Sequence, residues 1–215
     1  MPSRFTPLVN DEYYHVFNRG VNKLPIFNGV ADYRRFIKTL KYYQVEGPKP
    51  RLSLFMPMTT KLDWDKKIVE VICYCLMPNH FHLLLKQVKD GGITEFVGNL
   101  SNSYTRYYNT RHRRVGPILQ GEFKSVLVES NEQLLHLSRY IHLNPLVSGF
   151  TKDLDSYQWS SYPEYLGLLP TGFCSMGIIL DQFKTLLDYK KFVLDQASYG
   201  MELEFIKHHL LDIED

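Results

Sequence analysis

His80 and His82 stand one residue apart at the start of an apolar run, in the stretch Cys75-Leu-Met-Pro-Asn-His-Phe-His-Leu-Leu-Leu85. On a strand the side chains alternate faces, so both imidazoles would point one way, with Phe81 and Leu83 on the other side. That is a chelating geometry, and imidazole is the commonest metal ligand. Farther along, His136, Tyr140 and Asn144 recur at i, i+4, i+8 and share one face of a predicted helix. Two imidazoles on a strand and a tyrosine on a helix suit metal-assisted phosphodiester chemistry. An ion there would polarise a phosphate oxygen and stabilise charge developing on the leaving 3′ oxygen. A phenol of ordinary pKa about 10 needs a base, a metal or cationic surroundings before it attacks. Asn144, one turn beyond Tyr140, could add an amide oxygen as third ligand. The mixed set of His80, His82 and Asn144, with open positions, suits Mg²⁺ or Mn²⁺ in use, and Zn²⁺ could also bind. Each residue also has a plainer reading: structural histidines, one packing tyrosine among fifteen, and an asparagine ending a helix before Pro145.

Between Tyr104 and Lys124 the cations Arg106, Arg111, Arg113, Arg114 and Lys124 face a single acid, Glu122. Glycines and aromatics are interleaved with them. The segment fits either a solvated face or a surface tracking single-stranded nucleic acid, with arginines on phosphates and tyrosines stacking on bases.

These residues need a scaffold. Tyr13 to Asn18 has strand composition, and Asn28-Gly29 leads into a helix from about Val30 to Tyr43, with Asp32 near its positive end. Residues 47–66 read as an irregular insertion. Strands at 69–77 and 80–86 follow, then a helix capped by Thr94 and running to about Thr110. Val126 to Val128 makes a short strand, and Ser130-Asn-Glu-Gln133 is a capping box opening a helix to about Asn144, which Pro145 should end. The segment Gln158 to Gly167 should pack back onto the body. Two amphipathic helices are predicted beyond it, at about 178–193 and 201–211.

Composition sets the outer bounds. A chain of 215 residues with 44% hydrophobic content can bury a real core. It lacks the apolar run of about eighteen residues that a membrane span needs, and its start is not a signal peptide, so a cytoplasmic setting is expected. The three cysteines form no C-x-x-C pair and read as buried thiols. Net charge is +2, but residues 186–215 alone carry −4, which leaves +6 on the body. That balance permits a nucleic-acid partner.

The ordered set of motifs then adds a resemblance. Met77-Pro-Asn-His-Phe-His-Leu-Leu-Leu85 is similar to the His-hydrophobic-His motif of the single-tyrosine HUH transposases, and Tyr140-Ile-His-Leu-Asn-Pro145 to their tyrosine helix, particularly in the REP-associated tyrosine transposases. Supporting matches are Tyr14-His-Val-Phe-Asn-Arg-Gly20, Tyr104-Thr-Arg-Tyr-Tyr-Asn109, Gln120-Gly-Glu-Phe-Lys-Ser125 and Trp159-Ser-Ser-Tyr162, so the resemblance spans about residues 11–167.

It implies an α+β fold: a ferredoxin-like antiparallel sheet with helices packed on it, as catalytic domain 1–167, and an acidic helical extension at 168–215. It also implies His80, His82 and Asn144 as metal site, Tyr140 as nucleophile, Mg²⁺ or Mn²⁺ as cofactor, and DNA contacts from Arg19, Arg106, Arg111, Arg113, Arg114, Gln120 and Lys124. The implied activity is cleavage and rejoining of single-stranded DNA beside hairpins through a 5′-phosphotyrosine adduct, in a bacterial cytoplasm at the nucleoid. The enzyme would be a monomer or homodimer, with Tyr140 serving its own subunit's site or a partner's. Two other activities stay open: hairpin binding without catalysis, and a metal phosphodiesterase that uses water. Glu122 departs from the family pattern, since relatives often carry a base there.

Overall fold

The computed structural model describes residues 7–47, 52, 62–170 and 172–197. Four strands form one antiparallel sheet: β1 (Tyr13–Arg19), β2 (Val69–Met77), β3 (His80–Gln87) and β4 (Lys124–Val128), in the order β2-β3-β1-β4. Helices α1 (Val30–Tyr43) and α2 (Gly92–His112) complete the β-α-β-β-α-β order of a ferredoxin-like fold. Both pack on one face of the sheet, where Phe36, Leu40, Phe96, Leu100 and Tyr104 meet Val16, Phe81, Leu83 and Leu85. The long helix α3 (Asn131–Val147) covers the opposite face, burying Leu134 and Ile141 against Cys73, Cys75, Met77 and Leu84. The sheet is therefore buried on both sides, and β2 and β3 read as nearly continuous apolar runs.

A bulge lies in β2, where the register against β3 slips between Val71 and Cys73. Val69 and Val71 face α1 and α2, yet beyond the slip Tyr74 and Leu76 take that side while Ile72, Cys73, Cys75 and Met77 turn to α3. Cys73 and Cys75 share that face, both buried and free. The segment after α3 returns along the outer side of β2. The Trp159 carbonyl accepts from the Leu76 N–H at 2.9 Å, the Ser161 N–H donates to the Tyr74 carbonyl at 3.0 Å, and Tyr162–Tyr165 forms the short helix α4.

Several boundaries depart from the sequence reading. Helix α2 starts at Gly92 rather than after Thr94, because Gly91 takes a left-handed φ of 68° and Gly92 sits where a Cβ would meet the Ile68 carbonyl at 2.3 Å. Pro145 does not end α3. It lies in the last turn, and the Ser148 N–H still closes onto the Asn144 carbonyl. The single helix expected over 178–193 is two, α5 (Gly177–Leu180) and α6 (Leu186–Leu194), because Thr185 caps the second by accepting from the Asp188 N–H. Ile179, Tyr189 and Val193 pack in the same cluster as α3. The insertion expected at 47–66 and the helix expected at 201–211 fall largely or wholly outside the described residues. No helix among the described residues is long and apolar enough to cross a membrane.

Candidate metal and nucleophile site

Pairing of β1 with β3 sets Arg19 opposite His80 and Phe17 opposite His82. The parity of the two strands sends His80 and His82 toward α3, with Phe81 and Leu83 in the opposite core. The imidazole centroids lie 4.9 Å apart with planes at 87°. Helix α3, fixed by Ser130 accepting from the Gln133 N–H, lays its polar face over them. The Tyr140 ring stands edge-on to His82 at 5.5 Å and to a third imidazole, His15 of β1, at 6.0 Å. Tyr140 is 50% exposed, so a large substrate can reach it.

His80, His82 and Tyr140 line a cleft of about 460 Å³ together with Asn18, Arg19, Lys23, Asn79, Gln120 and Lys124. Two histidines, one phenol and three cations, with Glu122 as the acid in the wall, make it a receptor for an anion. The Arg19 guanidinium is held by its Nε donating to Gln120 Oε1 at 2.6 Å, a contact 101 residues apart in the chain.

Hydrogen bonds define the state of the imidazoles. Asn79 Nδ2 donates to the Lys23 carbonyl at 3.1 Å, so its Oδ1 is the atom that accepts from His80 Nδ1 at 2.7 Å. His80 thus carries its proton on Nδ1 and leaves Nε2 with a lone pair. Burial pushes His80 below the usual imidazole pKa, the Arg19 charge adds to that, and hydrogen bonding to Asn144 works the other way. His82 is also pushed well down, by burial and then by the neighbouring His80 and His15. His15 falls to about 4 through burial. All three rings are therefore neutral near pH 7, the form that ligates metals.

A divalent ion fits this donor set. His80 and His82 would each bind through a ring nitrogen, and the amide of Asn144, 8% exposed and bonded to His80, would supply the oxygen. No three His, Cys, Asp or Glu side chains converge on a metal-holding position among the described residues, so a two-histidine site with an amide and substrate oxygens is the arrangement available.

The predicted residues divide into those brought together and those that are not. His80, His82, Tyr140 and Asn144 converge, and Arg19, Gln120 and Lys124 join them in the cleft. His136 does not: one turn up α3, it bonds Arg139 and faces Glu132 at 50% side-chain exposure. Arg106, Arg111, Arg113 and Arg114 do not line the cleft. Arg111 pairs with buried Asp32 at 3.5 Å, and Arg114 lies over the Tyr108 ring. Sequence reasoning missed His15, Lys23 and Asn79 as site residues. For His15 a signal existed: Tyr13, His15, Phe17 and Arg19 alternate onto one face of β1.

Residues 58–144 match the family model described as "Transposase IS200 like", a span containing His80, His82, Tyr140 and Asn144. Over that span the chain is similar to IS200-like transposases. The fold agrees over a longer stretch. A solved structure of a REP-associated tyrosine transposase bound to a REP hairpin superposes with a TM-score of 0.57 at 14% identity, covering 80% of this chain and 90% of that one. No curated protein matches. The matched segment stops at Asn144, so β1, with Arg19 in the cleft wall and His15 against His82, contributes from outside it.

Proposed function

We propose that the protein is a metal-dependent strand transferase for single-stranded DNA beside hairpins, with Tyr140 as nucleophile. The observation that carries the reading is the convergence, within one chain, of the Tyr140 ring on His82 at 5.5 Å in a cleft walled by Arg19, Lys23 and Lys124. The REP hairpin bound to the structural neighbour supports hairpin DNA as the partner. Residues 1–167 would be the catalytic domain and 168–215 the extension.

Arg19, Lys23 and Lys124 would seat the scissile phosphate and neutralise its charge. A divalent Mg²⁺ or Mn²⁺ held by His80, His82 and Asn144 would act as Lewis acid on the phosphate oxygens. Tyr140 Oη attacks phosphorus. The Oη–P bond forms as the bond from phosphorus to the 3′ oxygen breaks, and the proton lost by the phenol ends on the 3′ oxygen, which leaves as a 3′ hydroxyl. The product is a 5′-phosphotyrosine, which keeps the phosphodiester energy, so attack by a second 3′ hydroxyl reseals the strand without a nucleotide cofactor. Exposure of Tyr140 allows strand exchange in the adduct. With Tyr140 beside its own chain's His82, a monomer has the whole set.

A hairpin oligonucleotide incubated with protein and Mn²⁺ should give a protein–DNA adduct on a denaturing gel. A water-using phosphodiesterase would give cleavage with no adduct, and a DNA binder would give neither.

A further inference from the structure

Tyr140 is placed by its helix and not by a bond of its own. Its hydroxyl makes no hydrogen bond among the described residues, and its ring meets His15 and His82 only edge-on. The backbone of α3 therefore sets where that hydroxyl lies. Leu134 and Ile141 fix the height of α3 above the sheet. Apolar packing of this kind is non-directional, so roll and slide of the helix need other contacts. Polar groups on the side of α3 away from the cleft supply them.

His142 lies between Tyr140 and Asn144 in the chain but on another face of α3, fully buried. Its Nε2 is hydrogen-bonded to Ser161 Oγ at 2.8 Å and its Nδ1 to the Tyr189 hydroxyl of α6 at 2.7 Å. Ser161 is tied to the edge of the sheet. The Tyr74 N–H donates to its Oγ at 2.9 Å, and its own N–H donates to the Tyr74 carbonyl at 3.0 Å. Beside Tyr140, the Arg139 guanidinium lies over the Phe192 ring of α6 at 4.4 Å and donates to the Phe192 carbonyl at 3.4 Å. Helix α6 is anchored in turn by Lys190, paired with Asp155 at 2.5 Å, and by Tyr189 and Val193 in the apolar cluster of α3. Two side chains of α6 thus grip the residues one before and two after Tyr140.

We propose that α6 braces the tyrosine helix, with Tyr189 and Phe192 as positioning residues that act through His142 and Arg139 to hold Tyr140 over the histidines of its own chain. The assignment rests on Tyr140 as nucleophile. An attacking atom displaced by about 1 Å can lose about a hundredfold in rate. Stability alone does not call for the polar pair, because apolar side chains of the same shape would fill the space without desolvating an imidazole. Hydrogen bonds at both ring nitrogens add direction, and each is costly to leave unmade. The brace lies outside the cleft and beyond the matched segment, which ends at Asn144, so it gives the extension after residue 168 a role at the site.

The test compares the full-length parent with Tyr189→Phe and Phe192→Leu. Nuclear magnetic resonance reads cross-relaxation between the Tyr140 and His82 ring protons. A single-turnover assay reads the rate of adduct formation at saturating Mn²⁺ and hairpin oligonucleotide. Tyr189→Phe keeps the ring and removes one hydroxyl. It should weaken the ring contact and slow adduct formation about tenfold, with DNA affinity and final adduct yield like the parent's. His142→Gln should slow Tyr189→Phe by less than it slows the parent, since both changes break the same bond. Phe192→Leu, which leaves the buried network intact, should move both readings in the same direction. A role in stability alone would lower the yield through unfolding and leave the rate and ring contact of the folded molecules unchanged. That result would overturn the brace, as would parent-like readings in both variants. If the parent forms no adduct, the strand-transfer reading fails, and the ring contact alone decides the brace.

Discussion

His15 Nε2 lies 2.9 Å from His82 Nδ1, joining β1 to the histidine pair of β3 through a contact 67 residues apart in the chain. The two rings also stack, with centroids at 5.1 Å. Both are neutral near pH 7, so one proton is shared between the two nitrogens. With that proton on His82 Nδ1, both motif histidines keep an unprotonated Nε2, since Asn79 already fixes His80 in the same tautomer. Partners of this type behind a metal ligand set its orientation and basicity.

Replacing His15 by Phe should therefore weaken Mn²⁺ binding by about 10–100-fold, measured by electron paramagnetic resonance of the free ion. His15→Gln, which keeps an acceptor oxygen, should recover part of the loss. Parent-like Mn²⁺ affinity in His15→Phe would show that the contact is packing alone.

Acid should destabilise the metal-free protein through its buried histidines. His142 is fully buried, bonded to the Tyr189 hydroxyl at 2.7 Å and to Ser161 Oγ at 2.8 Å, and burial lowers its pKa from 6.5 to about 3. Below pH 6.5 the unfolded chain takes a proton that the folded chain refuses. Its stabilising contribution is thus complete above 6.5 and lost as pH falls toward 3, at up to about 1.4 kcal/mol per pH unit. Urea unfolding between pH 7 and 4 should show this slope, and His142→Gln should flatten it by close to one proton. An unchanged slope would contradict the burial account.

Gly20 closes the cleft end of the sheet by close approach rather than by unusual φ. Its N–H donates to the Asn79 carbonyl at 2.7 Å, and a Cβ there would lie 2.0 Å from the Leu24 carbonyl oxygen. Gly20→Ala should cost about 1–3 kcal/mol in a urea titration, because backbone and not a flexible side chain must move. The displaced turn is bonded to Asn79 through Gly20 and Lys23, so Mn²⁺ affinity should drop in the same variant.

The readable parts of the site were those governed by local periodicity. His80 and His82 share a face because a strand repeats every two residues, and Tyr140 and Asn144 because a helix repeats every 3.6. The same patterns marked most of the strands and helices, while their antiparallel α+β arrangement was implied by the family resemblance. The contacts that escaped depend on pairing between distant segments. His15 meets His82 only through the β1–β3 register, and Arg35 meets Tyr107 only after α1 packs on α2. The β2 bulge was hidden for another reason: on a strand buried on both faces every position is apolar, so a slip in alternation leaves no mark. His136 was grouped with Tyr140 and Asn144 by spacing, yet α3 extends beyond the cleft, and its outer turn meets Arg139 and Glu132 instead.

The central claim is that Tyr140 forms the bond to DNA. The direct measurement is intact-protein mass after incubation with a hairpin-bearing oligonucleotide and Mn²⁺, for the parent and for Tyr140→Phe. The account predicts a mass increase equal to the 5′-phosphorylated strand less one water in the parent, located on the peptide containing Tyr140, and none in Tyr140→Phe. An adduct of the same mass in Tyr140→Phe would contradict it.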